Sequence, residues 1–187
     1  VMKLKLSKES FLTSLGLAVS VINPKNSLPI LSNLLVETTG KDEVRIIATD
    51  LEISVATITP AQVIEEGSVT IPAKKLFDIV RELPSGEFEL QITKNNSIHI
   101  RSSDHEKGSQ FKIMGLPKDD YPKLIEYSLE EAISISQKVL KECLNLTVFA
   151  ISRDETRYVL NGALFILKGK TLKIISTDGR RLAYIKK

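Results

Sequence analysis

Apolar residues along the chain either alternate with polar ones or recur at helical spacing, and one succession of these patterns occurs twice. Near the start, Leu4 and Leu6 flank Lys5 as a short alternating strand, and Ser7 stands where a helix N-cap belongs. Phe11, Leu15, Ala18, Val19 and Ile22 then recur at spacings of four, three, one and three, which traces one face of an α-helix. The second copy has a strand signal at Ile133 and Ile135, Ser136 as N-cap, and a stripe of Leu140, Leu144, Thr147, Val148 and Ile151, each 129 residues after its counterpart. After a loop, each copy offers a strand, Leu31 to Val36 and Leu160 to Phe165, and then an alternating strand ending in Thr-Asp, Val44 to Asp50 and Leu172 to Asp178. Strand, cap, helix, strand and strand in the same order, with the register slipping by only one residue, imply two copies of one domain.

Between the copies, strand signals lie at Ser54–Thr59 and Ser68–Ile71. Pro72 opens a helix through Glu82 that Pro84 stops. Alternating strands follow at Phe88–Ile92, Ile98–Arg101 and Gln110–Met114, the first two joined as a hairpin by Asn95-Asn96. The first domain is thus expected to hold two helices and about eight strands, an α+β fold, with Pro117 to Pro122 as its exit linker. The expected boundaries are residues 1–120 for the first domain and 128–187 for the second. The second copy lacks the latter half that the first possesses, so the chain reads as the front part of a longer protein. Val1 ahead of Met2 reads as an added residue.

Composition narrows the function. Of 187 residues, 42% are apolar and 26% charged, ordinary for a chain that buries a core, and the aromatic share of 5% favours aliphatic sheets. A lone cysteine, Cys143, cannot form an intrachain disulfide; it reads as a small core residue of a cytoplasmic protein. No apolar run approaches the roughly 18 residues that cross a bilayer. The net charge of +3 permits a nucleic-acid partner held weakly and salt-sensitively, not a tight grip.

Candidate chemistry is sparse. Asp50, Glu52 and Asp178 could be imagined as the metal site of a nucleic-acid enzyme, but the two aspartates occupy equivalent places in a repeat, which favours a structural turn. His99 and His105 have no partner at ligand spacing, no Gly-rich phosphate loop is present, and Cys143 has no evident base. No cofactor and no metal are expected.

Several segments carry a resemblance. Leu28-Pro29-Ile30-Leu31-Ser32-Asn33-Leu34-Leu35, Ala48-Thr49-Asp50-Leu51-Glu52 and Pro72-Ala73-Lys74-Lys75-Leu76-Phe77-Asp78-Ile79 resemble the first domain of bacterial DNA sliding clamps, the beta subunit of DNA polymerase III. Arg157-Tyr158-Val159-Leu160-Asn161-Gly162 and Thr177-Asp178-Gly179-Arg180-Arg181-Leu182-Ala183 resemble segments of the second domain. The resemblance covers essentially the whole chain in the right order. It implies a non-enzymatic ring of two three-domain subunits around double-stranded DNA, helices lining the hole. A loader opens the ring, and the polymerase alpha subunit and other proteins dock on it through a clamp-binding motif.

The resemblance also assigns residues. DNA contacts would fall on Lys25, Lys74, Arg81, Arg153 and Tyr158, although surface cations are as readily plain solvated groups. A partner-peptide pocket would use Leu160, Thr177, Gly179, Arg180, Arg181 and Leu182; here Arg180 stands where the family often has His, and the segment alone reads as an ordinary turn. The subunit interface would use Lys75, Lys107, Phe111 and Ile113, the last two of which could equally fill the first domain's core.

Overall fold

In a computed structural model, described for residues 1–22, 28–103, 108–123 and 132–187, the chain divides into two compact units, Val1–Ile125 and Glu126–Lys187.

The first unit is an antiparallel sheet with two helices. Its strands are β1 (Met2–Ser7), β2 (Asn33–Thr38), β3 (Glu43–Thr49), β4 (Ser54–Glu65), β5 (Ser68–Pro72), β6 (Glu87–Ile92), β7 (Ser97–Ser102) and β8 (Gln110–Met114). They lie in the order β5-β2-β3-β4-β1-β6-β7-β8. The chain's first strand therefore sits inside the sheet, pairing with Ala61–Glu65 of β4 on one side and with all of β6 on the other. Helix α1 (Lys8–Val19) packs on β1, β3 and β4 and beside α2 (Ala73–Glu82). Period-two burial on the strands and the helical stripes meet in one core. Met2, Leu4 and Leu6 from β1, Phe11, Leu15 and Ala18 from α1, and Leu76 and Val80 from α2 are all buried in it. The Phe11 and Phe88 rings are tilted at 59° with centroids 5.6 Å apart.

The outer strands meet through the chain that follows β8. Thr70 on β5 and Leu116 exchange backbone hydrogen bonds, each 3.1 Å. Tyr121 then packs into the unit, 5% exposed, with its hydroxyl 3.3 Å from the carbonyl oxygens of Asn33 and Ile47. Burial pushes the Tyr121 phenol up to about 12. The expected linker at Pro117 to Pro122 is therefore part of the unit's packing. The Pro and Asp content that marked it serves a short 3-10 turn, Lys118–Asp120, which carries the chain from the Leu116 bridge to the Tyr121 anchor.

The second unit repeats part of this plan: α3 (Gln137–Asn145), then β9 (Leu164–Lys168), β10 (Thr171–Thr177) and β11 (Leu182–Lys186), in the order β11-β10-β9. Cys143, Leu172 and Ile174 form its small core, as expected for the cysteine. Four sequence expectations need correction. Ile133 and Ile135 form no strand; residues 132–136 have no regular secondary structure, with Ile133 63% exposed. Val148 is exposed rather than part of the helix stripe, because α3 ends at Asn145 and the chain turns at Val148–Ala150. The strands expected from Leu31 and from Leu160 begin later. Each is preceded by a 3-10 turn, Pro29–Ser32 and Glu155–Leu160, so the misreading is itself repeated. Ser7 and Ser136 occupy N-cap positions, but neither side chain caps its helix; the Ser7 hydroxyl donates to the Glu9 carboxylate instead. Among the described residues, no helix is long and apolar enough to cross a membrane.

Gly115 shows how tightly the outer strands meet. A Cβ there would stand 2.4 Å from the Thr70 carbonyl oxygen and 2.9 Å from Cδ1 of Ile98. Gly115→Ala is expected to destabilise the first unit by about 1–3 kcal/mol, measured by urea denaturation. An unchanged midpoint would mean the bridge contributes nothing.

Candidate functional site

The two Thr-Asp segments fold into the same turn. In the first unit, the Asp50 carboxylate accepts the N–H groups of Glu52 and Ile53 at 3.0 and 2.7 Å, and Leu51 N–H donates to the Thr49 hydroxyl. In the second, the Asp178 carboxylate accepts from Arg180 and Arg181 N–H at 2.9 and 3.0 Å, and Gly179 N–H donates to the Thr177 hydroxyl. The threonine hydroxyls close both turns by donating to the carbonyls of Ile53 and Arg181. Short polar side chains that bond the backbone two or three residues on are what such turns require. The residue after each aspartate has a left-handed backbone, φ 81° at Leu51 and 87° at Gly179. The metal-enzyme alternative on Asp50, Glu52 and Asp178 finds no support in this geometry. The aspartates belong to separate units, and each carboxylate is engaged by its own turn. Among the described residues, no three His, Cys, Asp or Glu side chains gather as metal ligands would.

Beside the second turn lies an open concavity of about 690 Å³. Val148, Phe149, Arg153, Arg157, Arg180 and Arg181 line it. Three stretches of chain supply them: the turn after α3, the approach to the 3-10 turn, and the Asp178 turn. The Arg181 guanidinium sits 5.7 Å from the Phe149 ring centroid and its Nε is 3.0 Å from Asp178. Arg157 pairs with Asp154 at 3.7 Å, and its Nη1 lies 3.5 Å from where a Cβ on Gly179 would be. Backbone N–H groups of Arg180 and Arg181 hold the Asp178 carboxyl below the usual carboxylate range; the Thr156 hydroxyl and N–H do the same for Asp154. Both aspartates therefore stay ionised at neutral pH.

Thr177, Gly179, Arg180 and Arg181, assigned to the peptide pocket, share one turn. Arg180 and Arg181 line the concavity, whereas Leu160, Thr177, Gly179 and Leu182 do not. Leu182 is 67% exposed at the start of β11 and Leu160 is half-buried. Arg153, assigned to DNA, shares the concavity with Arg180; Tyr158 is 80% exposed in the 3-10 turn. On α2, Lys74 and Lys75 are exposed, while Arg81 pairs with Asp78 and Glu82 and lies 5.8 Å from the Phe77 ring centroid. Lys25 and Lys107 lie outside the described residues, as does His105. Phe111 and Ile113 turn inward from β8 onto the core, so the exposed side chains of that strand are Gln110, Lys112 and Met114. Sequence reasoning missed Phe149, Arg157 and the Lys138 and Lys141 pair exposed on α3; the helical spacing of the two lysines was a usable signal.

Two family models match consecutive stretches of the chain. The DNA polymerase III beta subunit N-terminal domain matches residues 2–125, and the central domain of the same subunit matches 134–187. The chain belongs to this family. It is 36% identical to the beta sliding clamp of Chlamydia pneumoniae over 89% of its own length and 44% of the relative's. It superposes on the Bacillus subtilis DNA polymerase sliding clamp with a TM-score of 0.92 at 27% identity, covering all of this chain and 50% of that one. A sliding clamp from Bartonella birtlesii, solved with griselimycin bound, gives a TM-score of 0.89 at 34% identity, again with all of this chain and 50% of that one. The chain thus spans about half the length of the relatives it matches.

The matching turns yield opposite predictions. Gly179→Ala is expected to cost about 1–2 kcal/mol, because a Cβ strains a left-handed backbone. Leu51→Gly is expected to gain up to about 1 kcal/mol, the relief exceeding glycine's added freedom when unfolded. Thermal unfolding of both variants checks the signs, and a shared sign would refute the equivalence. The Asp178 carboxyl has a lower pKa folded than unfolded, so its contribution is complete above the unfolded value and lost as pH falls through the folded one. The gap in melting temperature between the protein and Asp178→Ala should therefore narrow below about pH 4. A constant gap would show that the charge is not what the turn uses.

Proposed function

We propose that, in a polypeptide of the relatives' length, these two units form part of a ring that encircles duplex DNA without reading its sequence. The ring tethers the DNA polymerase III alpha subunit and other proteins carrying a clamp-binding motif. Two copies close it head to tail, a clamp loader opens it, and it acts in the cytoplasm, catalysing nothing itself. The observation that carries this reading is the match of two consecutive units, built on one repeated turn, to consecutive domains of the beta subunit.

The helix surfaces support it. Helix α2 exposes Lys74, Lys75 and Arg81 against Asp78 and Glu82, and α3 exposes Lys138 and Lys141 against Glu142. Such faces attract phosphates weakly, as a ring that must slide requires. Lys25, Arg153 and Tyr158 join the same proposed DNA-facing set. For partner capture we assign Leu160, Thr177, Gly179, Arg180, Arg181 and Leu182, with the bared Leu182 as an apolar anchor. For the subunit interface we assign β8, which pairs with β7 alone among the named strands, together with Lys75 and Lys107. Because Phe111 and Ile113 face inward, the edge backbone of β8 supplies the contact and those two side chains stiffen it.

A relative-length chain loaded on nicked circular DNA should stay with the circle in gel filtration and leave when the circle is cut; retention on linear DNA would refute encirclement. Lys74→Ala with Arg81→Ala should reduce the slope of log affinity against log salt by about 2. An unchanged slope would remove those residues from the DNA face.

A further inference from the structure

We propose that the sheet face of the second unit turned away from its core holds a condensed phosphate group, a diphosphate or longer, between Lys168, Lys173 and Lys186. The inference is independent of the ring reading above. It concerns the end of the sheet where β9 turns into β10, opposite the end that carries the Asp178 turn.

Alternation decides which side chains share this face. Leu172, Ile174 and Ser176 of β10 are buried on the core side, so Thr171, Lys173 and Ile175 stand on the other. The strand register sets Lys173 opposite Ile166 of β9 and Lys186 of β11, and Thr171 opposite Lys168. These five residues line an open concavity of about 200 Å³. Lys187, next in the chain, falls on the core side and pairs with Glu142 of α3. Lys168, Lys173 and Lys186 have no carboxylate within ion-pair distance among the described residues.

The repeat shows that the framework does not require this charge. Counted back from the two Thr-Asp turns, Lys173 corresponds to Arg45 and Thr171 to Glu43. In the first unit Arg45 lies opposite Ile58 and opposite Glu37, whose carboxylate accepts from the Arg45 Nε at 2.7 Å. In the second unit Ile166 stands in place of that carboxylate and Lys186 in place of the isoleucine. A cation neutralised in one unit is left without an anion in the other and gains a second cation beside it. Lys173 and Lys186 are directly opposite on neighbouring strands, about 5 Å apart at Cβ, where like charges repel. An anion held between them removes that repulsion.

The arrangement selects a compact anion of high charge. Lysine ammonium groups are strongly hydrated point charges without the fork that pairs with a single carboxylate. Three of them around one concavity call for several oxygens and more than one negative charge, which a condensed phosphate has and a lone carboxylate lacks. At about 200 Å³ the space is smaller than the roughly 300–1,000 Å³ that takes drug-sized ligands. A nucleic-acid strand needs cations that continue along its path. Here the next row of the face is Leu164, Ile175 and Tyr184, which carries no charge. Binding is expected to weaken as salt rises, because the exposed Lys168 and Lys186 are solvated beforehand.

Isothermal titration calorimetry of the 187-residue chain tests this with inorganic pyrophosphate and, at the same ionic strength, inorganic orthophosphate. Pyrophosphate is expected to bind about tenfold more tightly than orthophosphate, and Lys173→Gln with Lys186→Gln should remove that advantage. Lys41→Gln with Lys94→Gln takes the same charge from exposed positions of the first unit and should leave pyrophosphate binding unchanged. Should the first pair unfold by circular dichroism, Ile166→Glu gives Lys173 the carboxylate neighbour that Arg45 has, and should abolish the advantage in a folded chain. Adenosine diphosphate separates two sources of the same group: tighter binding than pyrophosphate assigns it to a nucleotide, equal or weaker binding to the free anion. Equal affinity for pyrophosphate and orthophosphate overturns the proposal, as does an equal loss in both lysine pairs. A thymidine oligonucleotide that binds more tightly than pyrophosphate, and loses that affinity in Lys173→Gln with Lys186→Gln, overturns it in favour of nucleic acid.

Discussion

The first unit depends on one strand. β1 lies between β4 and β6 and, among the described strands, joins β5-β2-β3-β4 to β6-β7-β8. Its inward residues, Met2, Leu4 and Leu6, are buried from both sides by the strands it joins and from above by α1. A central strand must satisfy backbone partners on both edges, so β1 cannot form until both halves exist. The pairing joins residues about 60 and 90 positions apart in sequence to the first few, a non-local contact that costs loop entropy before it repays it.

The same requirement explains the second unit. The offset between the Thr-Asp turns, Thr49 to Thr177, places β11 over residues 54–58 of β4. β1, however, pairs with residues 61–65 of β4. The stretch at Ile133 and Ile135 has the alternation of a strand but pairs with no strand among the described residues. Strand propensity without a partner is not a strand. Among the described residues β9 pairs with β10 alone, whereas β2 is paired on both edges, and Leu164, Phe165, Ile166 and Leu167 of β9 are exposed.

The residue pattern reveals an element where its local signal and its tertiary surroundings agree. Helices α1 and α2, strands β3 and β10 and the hairpin at Asn95-Asn96 were legible because local periodicity and turn chemistry match tertiary burial there. The 3-10 turns at Pro29–Ser32 and Glu155–Leu160 were not, since a single tight turn holds too few residues to display a period. Tyr121 has the sequence character of a linker because its neighbours are prolines and aspartates; the acceptors it reaches, Asn33 and Ile47, are distant in sequence. The structural role of the Asp50 and Asp178 turns was legible from their equivalence alone. The concavity was hidden for another reason. Its arginines come from two stretches of chain, and no spacing rule links Arg153 to Arg180.

The repeat also separates framework from function. Both turns share the Thr-Asp hydrogen bonds, so those bonds are framework. The residues after the aspartates differ: Leu51, Glu52 and Ile53 in one turn, Gly179, Arg180 and Arg181 in the other. In the first unit the turn tolerates a leucine in a left-handed backbone. In the second, glycine relaxes the same backbone and leaves room for Arg157 beside it. Two arginines then project where the first unit has a glutamate and an isoleucine. One framework thus yields an anionic, apolar turn in the first unit and a cationic one in the second.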